Sequence, residues 1–375
     1  MLSSQDPNYV QCSISLMDNI ADPEIRFDEM GICNYYYEYL IAEKNAVKKG
    51  QVGEREFNEI IQQIKNDGKG KEYDCILGVS GGVDSTYLAY IAAQQGLRVL
   101  CVHFDNGWNS ELAVMNIQNL VNKTGFELYT YVIDWQEFKD IQLSYFKANV
   151  IDIEAVTDIA IFSALDMLCK KFKVKHILDG RNIVTEFVLP KSWICKNPSN
   201  LKDIHKKFGT VKLNSYPLIS PINRRIRAKK NEFQSWALLN YIDYNKELAK
   251  KIIVEKLHWK DYGGKHYESI FTRFYQGYIL PTKFEVDKRK AHLSNLIFSG
   301  QITKEEALKE LEKPIYPADL FKSDYNFVIK KLGFTNDEFQ KYLNETPVSH
   351  SKFDMSLSIF DEIPQLKFFK KIFKK

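Results

Sequence analysis

No apolar run in the 375 residues approaches the roughly 18 that cross a bilayer, and stretches such as IAIFSALDMLC are interrupted by Asp166. The opening MLSSQDPNYV has neither the basic region nor the apolar segment of a secretory leader, so a cytoplasmic location is expected. A dominant charge is also missing: 52 Lys+Arg against 48 Asp+Glu leave +4 at pH 7, too balanced for a general nucleic-acid coat. There is no repeat or low-complexity tract. Six scattered cysteines, three of them in apolar stretches, exclude a disulfide scaffold.

What is present is 45% hydrophobic and 27% charged, enough for about two globular domains. The balance is local as well as global. Residues 1–30 hold six acids and one Arg, whereas LKFFKKIFKK (366–375) holds five Lys and no acid. Residues 36–66 read as helix, with Leu40, Ile41, Val47, Phe57, Ile60, Ile61 and Ile64 at near-helical spacing, and NDGKGKEYD reads as a linker. Beyond it, β-rich runs at 74–79, 98–104, 127–133 and 174–178 alternate with helical patterns, which predicts a parallel sheet covered on both faces. From about residue 216 the strand signal fades into helical, proline-punctuated sequence. Three units are expected: 1–70, 71–215 and 216–375.

The most informative segment is Ser80-Gly81-Gly82-Val83-Asp84-Ser85, between the first strand and the helix beginning TYLAYIAAQQG. Two glycines permit a tight turn whose N–H groups face a ligand, two hydroxyls add donors, and a helix N-terminus supplies positive potential. The loop suits a pyrophosphate. It is neither a Walker A loop nor GxGxxG. Asp84 fits an anion site only with Mg²⁺ between it and the phosphates.

SGGVDS after an apolar strand resembles the signature of the PP-loop ATP pyrophosphatases. The stretches DPEIRFDEMGICN (22–34), HFDNGWNSELAVMNIQNL (103–120), DGRNIVTEFVLPKSW (179–193) and residues 261–308 together resemble the N-acetyl sugar amidotransferases of bacterial surface-polysaccharide (lipopolysaccharide O-antigen or nonulosonic acid) synthesis. The likeness spans roughly residues 10–310, and the last 65 residues add little. It implies an α/β fold: a parallel-sheet PP-loop ATP pyrophosphatase (adenine nucleotide alpha hydrolase-like) domain with a small N-terminal module and a mainly helical C-terminal region. It also implies an ATP- and Mg²⁺-dependent ligase that turns the acetamido group of a sugar or nucleotide sugar into an acetamidino group. One departure concerns the CxxC pairs with which such proteins commonly begin, which here read Cys12-Ser-Ile-Ser15 and Cys33-Asn-Tyr-Tyr36. Cys12 and Cys33 remain as candidate Zn²⁺ ligands, but two thiolates cannot complete a tetrahedral site. Packing of Tyr35, Tyr36 and Tyr37 is the alternative.

By this resemblance Ser80, Gly81, Gly82 and Ser85 hold the pyrophosphate and Asp84 the Mg²⁺, while Asp105, Asn106 and Gly180 complete the nucleotide site. Asp158 is a catalytic candidate, and Asp179, Asn182 and Glu186 face the substrate. Cations must answer the leaving pyrophosphate. Arg224, Arg225, Arg227, Lys229 and Lys230 compete with Lys265 and Arg273, and with Lys283, Lys288, Arg289 and Lys290; Lys265 and Lys288 are taken as catalytic and Arg273 as substrate-binding. A glutaminase needs an activated cysteine, and neither an N-terminal nor a GxCxG cysteine exists, so ammonia is expected from a separate glutaminase subunit like that of histidine synthesis, alone or with a cyclase-like subunit. No nucleic-acid partner is expected; membrane contact is assigned only to the amphipathic basic tail. The alternatives are another PP-loop enzyme such as a tRNA thiolase, disfavoured by the missing CxxC and the neutral charge, and a non-catalytic ATP-binding scaffold.

Overall fold

The computed structural model describes residues 7–264 and 267–356. Its centre is a five-stranded parallel sheet in the order β3-β2-β1-β4-β5, from Cys75–Gly78 (β1), Val99–Asp105 (β2), Glu127–Val132 (β3), His176–Leu178 (β4) and Gln234–Trp236 (β5). Strand periodicity sorts the apolar runs onto two faces. Cys75, Leu77, Val99 and Cys101 look one way, and Ile76, Leu100 and Val102 the other.

Asn34–Ala46 (α1) and Gly50–Asp67 (α2) precede the sheet, and α2 places Phe57, Ile60, Ile61 and Ile64 against its first face. The helix expected over 36–66 is therefore two. The break arises from tertiary contact: Lys48 donates its N–H to the Asn240 carbonyl at 2.8 Å, and a Cβ on Gly53 would lie 2.9 Å from the Tyr241 carbonyl. Val83–Gln94 (α3), Glu111–Thr124 (α4), Trp135–Ala148 (α5) and Ala155–Lys171 (α6) cross between strands. Leu165, Leu168 and Cys169 of α6 cover the second face. Past β4 come Ile183–Glu186 (α7), Pro198–Phe208 (α8), Pro221–Lys229 (α9) and Lys246–Leu257 (α10), with Ile253 of α10 buried in the first-face cluster. The sheet thus runs past residue 215, because β5 is only three residues long and carries no strand signal of its own.

The C-terminal region is helical: Ile270–Phe274 (α11), a π-turn at Tyr275–Ile279, Leu280–Lys283 (α12), Lys288–Phe298 (α13), Lys304–Glu312 (α14), Ala318–Leu332 (α15) and Asn336–Asn344 (α16). The N-terminal segment shares its core. Cys12, Met17, Ala21, Ile25, Cys33 and Tyr35 lie in one cluster with residues of α5, α6, α11, α15 and α16. It is pinned to α13 by the Lys290–Asp18 ion pair and by Leu16 N–H donating to Ser294 Oγ at 3.0 Å. All six cysteines are free and buried. Among the described residues no helix is long and apolar enough to cross a membrane; the basic tail lies outside them.

Candidate active site

The chain runs from β1 outward through β2 to β3 on one side and from β4 to β5 on the other, so the direction of winding reverses between β1 and β4. Ligands of open α/β sheets bind beyond the strand ends at such a switch point. Both flanking loops carry the residues singled out from the sequence.

After β1, Gly81 adopts φ +82°, and a Cβ there would meet the Ala113 carbonyl of α4 at 2.7 Å, so only glycine fits. Gly82 is the N-cap of α3, leaving the first-turn N–H groups of the helix open to an anion. Ser80 Oγ accepts from Gly82 N–H at 3.2 Å and lies 3.5 Å from Ser85 Oγ, which donates to the Gly82 carbonyl at 3.4 Å. The loop is held from outside: Trp259 Nε1 donates to the Gly81 carbonyl at 2.8 Å. A Cβ on Gly82 would lie 3.4 Å from the Tyr262 hydroxyl and 3.9 Å from Glu268 Oε1. Burial and Glu268 push the Tyr262 hydroxyl's pKa up. Glu268 in turn belongs to a segment bridged to the turn after β2, since Ser110 N–H donates to its carbonyl at 2.9 Å and Ile270 N–H to the Trp108 carbonyl at 2.7 Å.

Asp84 sits in the first turn of α3. Its Oδ1 accepts from the Tyr244 hydroxyl and from Asn182 Nδ2 at 3.4 Å. Burial, then Asp84 and Glu186, raise the Tyr244 pKa, and the phenol stays neutral in contact with Asp84. Asp84 is a hard oxygen donor within the phosphate loop, and Mg²⁺ ordinarily takes one or two carboxylates together with substrate phosphates, so the loop fits that ion. Zinc at Cys12 and Cys33 fits less well. Cys33 N–H donates to Cys12 Sγ at 3.3 Å and Ser15 Oγ lies 3.9 Å from Cys33 Sγ, yet no group of three His, Cys, Asp or Glu side chains is placed to hold a metal among the described residues. The Cys33 thiol donates to Cys12, holding the Cys12 pKa below the ordinary thiol value and pushing its own up. Tyr35 is buried and donates to Asp22 at 2.5 Å, Tyr36 packs on Phe298, and Tyr37 is exposed, so two of the three tyrosines pack as expected.

After β2, a cavity of about 360 Å³ opens between the sheet and α4, lined by residues including His103, Asp105, Asn109, Ile117, Gln118 and Thr130. Asp105 Oδ1 accepts from Gly107 N–H at 2.8 Å and Asn109 Nδ2 at 2.9 Å. His103 accepts from Asn109 at Nε2 (3.1 Å) and meets the Val79 carbonyl through Nδ1 at 3.4 Å; burial lowers its pKa, keeping it neutral. Asn106 points inward instead. It is buried, accepts from Trp108 N–H and donates to Thr157 Oγ1, so it supports the turn and does not line the cavity.

After β4, Gly180 packs so closely that a Cβ would approach Ser85 N to 3.2 Å. Asp179 pairs with Arg181, Nε to Oδ2 at 2.7 Å. Asn182 caps α7 through Thr185 N–H at 2.9 Å while holding Asp84, which makes it a positioning residue for that carboxylate and corrects its assignment to substrate. Asp158 pairs with Lys196 at 2.7 Å and Lys288 approaches Glu154 at 3.9 Å. Arg273, assigned to the substrate from the sequence, is engaged in a buried pair: its guanidinium forks onto Asp324 at 2.5 and 2.7 Å, between α11 and α15. Of its competitors, Lys283 donates to the Tyr342 and Glu345 carbonyls and Arg289 to Asp287. Lys265 lies outside the described residues. Sequence reasoning gave no role to Tyr244, Trp259, Tyr262, Glu268, His103 or Asn109, although four of the six lie in the stretches 103–120 and 261–308 that carry the family resemblance.

Residues 268–367 match the family model described as LPS biosynthesis protein WbpG-like, C-terminal domain, and residues 74–193 match that of Queuosine biosynthesis protein QueC. The C-terminal part is thus similar to a WbpG-like domain, and the segment carrying the phosphate loop to a PP-loop family model. The WbpG-like match begins at Glu268, on the segment bridged to the turn after β2, and continues past residue 310, so the last residues contribute more to the likeness than the sequence suggested. The chain is similar to an uncharacterized protein, MJ1599, of Methanocaldococcus jannaschii (25% identity over 320 residues, covering 83% of this chain and 96% of that protein). It is also similar to a tRNA(Ile)-lysidine synthase of Chlamydia pneumoniae (35% over 71 residues, 18% and 22%). Two solved structures resemble it at TM-scores of 0.27 and 0.31. The first is an NMN synthetase from Francisella tularensis (14% identity, 56% of this chain and 99% of that one), the second an NH3-dependent NAD synthetase from Campylobacter jejuni (13%, 79% and 98%).

Proposed function

We propose that the chain is an ATP-dependent amidotransferase converting the acetamido group of a sugar or nucleotide sugar into an acetamidino group for bacterial surface polysaccharide. The observation that carries the reading is the phosphate loop at the switch point, next to the segment that opens the WbpG-like match.

An amide carbon is a poor electrophile, so the amide oxygen must first become a leaving group. That oxygen attacks the α-phosphorus of ATP, the α–β bridging bond breaks, pyrophosphate leaves, and an O-adenylyl imidate remains. Ammonia adds to the imidate carbon, the C–O bond breaks, AMP departs with the former amide oxygen, and a proton is lost. The protein contributes position and electrostatics. The α3 first-turn N–H groups with Ser80 and Ser85 bind the β,γ-phosphates, and the cavity at His103 and Asp105 takes the nucleoside. Asp84 would hold Mg²⁺, which supplies charge neutralisation on the departing pyrophosphate. Trp259 and Tyr262 exclude water above the loop. Ammonia is supplied by a separate glutaminase.

The test is ATP–pyrophosphate exchange by the purified chain with Mg²⁺ and a panel of nucleotide-activated N-acetyl sugars. Sugar-dependent exchange is expected, lost by about a hundredfold or more in Ser80→Ala/Asp84→Ala. Amidine should form with ammonium chloride and not with glutamine alone. Exchange indifferent to any N-acetyl sugar defeats the reading.

A further inference from the structure

A band of paired charges leads away from the phosphate loop. It starts at Arg181, next to Gly180, whose backbone packs on Ser85. The Arg181 guanidinium stacks on the Phe162 ring of α6 at 5.1 Å, one helical turn from Asp158. Asp158 takes Lys196 at 2.7 Å. Beyond them Asp152, 4% exposed, accepts from Cys195 N–H at 2.7 Å, and Lys288 lies 3.9 Å from Glu154. Lys196 directly follows Cys195, whose N–H is bonded to Asp152, and Lys288 lies against Glu154 two positions on, which sets the two lysines on one short segment before α6.

The formal charges of this band nearly cancel, but its unused hydrogen-bonding capacity does not. Glu154 Oε2 accepts from Gln276 Nε2 at 3.0 Å, and Asp152 and Asp158 are engaged as described. An ammonium has about three N–H donors, and Lys196 spends one while Lys288 makes no hydrogen bond to any described residue. Their side chains are 41% and 27% accessible. Lys288 also opens α13, where a cation opposes the helix dipole. Its neighbours discharge that cost locally, Arg289 onto Asp287 and Lys290 onto Asp18. Lys288 does not. Gln276 is delivered to Glu154 by the π-turn, a register shift frequent at functional sites.

We infer that Lys196 and Lys288 form an oxyanion subsite for the acceptor, holding a carboxylate or phosphate group of the substrate while its acetamido group lies toward the phosphate loop. Asp158, Glu154 and Gln276 orient the two ammonium groups. The inference rests on the amidotransferase reading and adds to it the substrate's charge.

The experiment is calorimetric titration of the full chain, saturated with α,β-methylene-ATP and Mg²⁺, with N-acetylneuraminate, N-acetylglucosamine 1-phosphate and uncharged N-acetylglucosamine. At least one charged probe should bind about tenfold or more tightly than the neutral sugar, and which one does so separates carboxylate from phosphate. Lys196→Met/Lys288→Met should erase that margin, and Lys196→Arg/Lys288→Arg should keep most of it. Affinity for the ATP analogue should stay within about twofold in both, which reports that they fold. Lys196→Met alone, at the more exposed position, should lose part of the margin. Equal binding of charged and neutral sugars, or a margin surviving in the double methionine variant, overturns the subsite. Exchange driven equally well by neutral N-acetyl sugars overturns the subsite and leaves amidination standing, whereas exchange with no sugar at all removes both.

Discussion

Asp152 and His350 meet where α6 begins, with Asp152 N–H donating to His350 Nε2 at 3.3 Å, and burial acts on the two in opposite senses. Burial, assisted by Asp158 and opposed by Lys288 and Lys196, pushes the Asp152 carboxyl from 3.8 up to about 7. Burial drops His350 from 6.5 to about 4. The folded chain therefore holds the Asp152 proton more tightly than the unfolded chain does. Its contribution is complete below the ordinary carboxylate value and declines by about 1.4 kcal/mol per unit as pH climbs through the window toward 7. His350 works the other way, costing stability as pH falls from 6.5 toward 4. Asp152→Asn removes only the first slope. Urea denaturation at several pH values should show the variant gaining on the wild type between pH 4 and 7; parallel curves would count against the assignment. At this scale the loop residues Ser80 to Ser85 were legible because turn, cap and phosphate chemistry are written within six consecutive positions. Tyr244 and Trp259 were not, since nothing local distinguishes an aromatic residue that will reach Asp84 or Gly81 from one destined for the core.

At the level of elements, continuous apolar runs disclosed β1 and β2, but β5 has three residues of intermediate or exposed burial and is defined only by pairing with β4. The same limit explains Arg273. A basic residue in the stretch resembling the amidotransferases looked like a phosphate ligand, whereas its partner Asp324 lies 51 positions away on α15. Both side chains are nearly buried, at 11% and 5% exposure, and Tyr316 donates to the same carboxylate. Removing one partner of such a pair costs about 3–5 kcal/mol. Arg273→Met should lower the denaturation midpoint accordingly and leave the KM for ATP unchanged in the folded fraction; a selective rise in KM would return Arg273 to the site.

The phosphate loop is held by residues distant in sequence. The N-terminal segment is fastened to α13, α13 carries Lys288, and Trp259, Tyr262 and Glu268 lie against Gly81 and Gly82. Nucleotide binding should therefore be felt outside the sheet. Amide hydrogen exchange in residues 259–264 and 267–270 should slow when α,β-methylene-ATP and Mg²⁺ are added. Unchanged exchange there would dissociate this cover from the nucleotide.

The same architecture has a consequence for synthesis. Trp259 reaches back across 178 positions to Gly81, and β5 joins the sheet after four strands have already been made. A ribosome releases the chain from its N-terminus. A nascent chain ending near residue 230 has the phosphate loop without its anchoring indole, and β4 presents an open row of N–H and C=O groups, the kind of edge that recruits foreign strands. Nucleotide competence and protection from aggregation thus arrive together, late in translation, when the segment from β5 to Trp259 emerges.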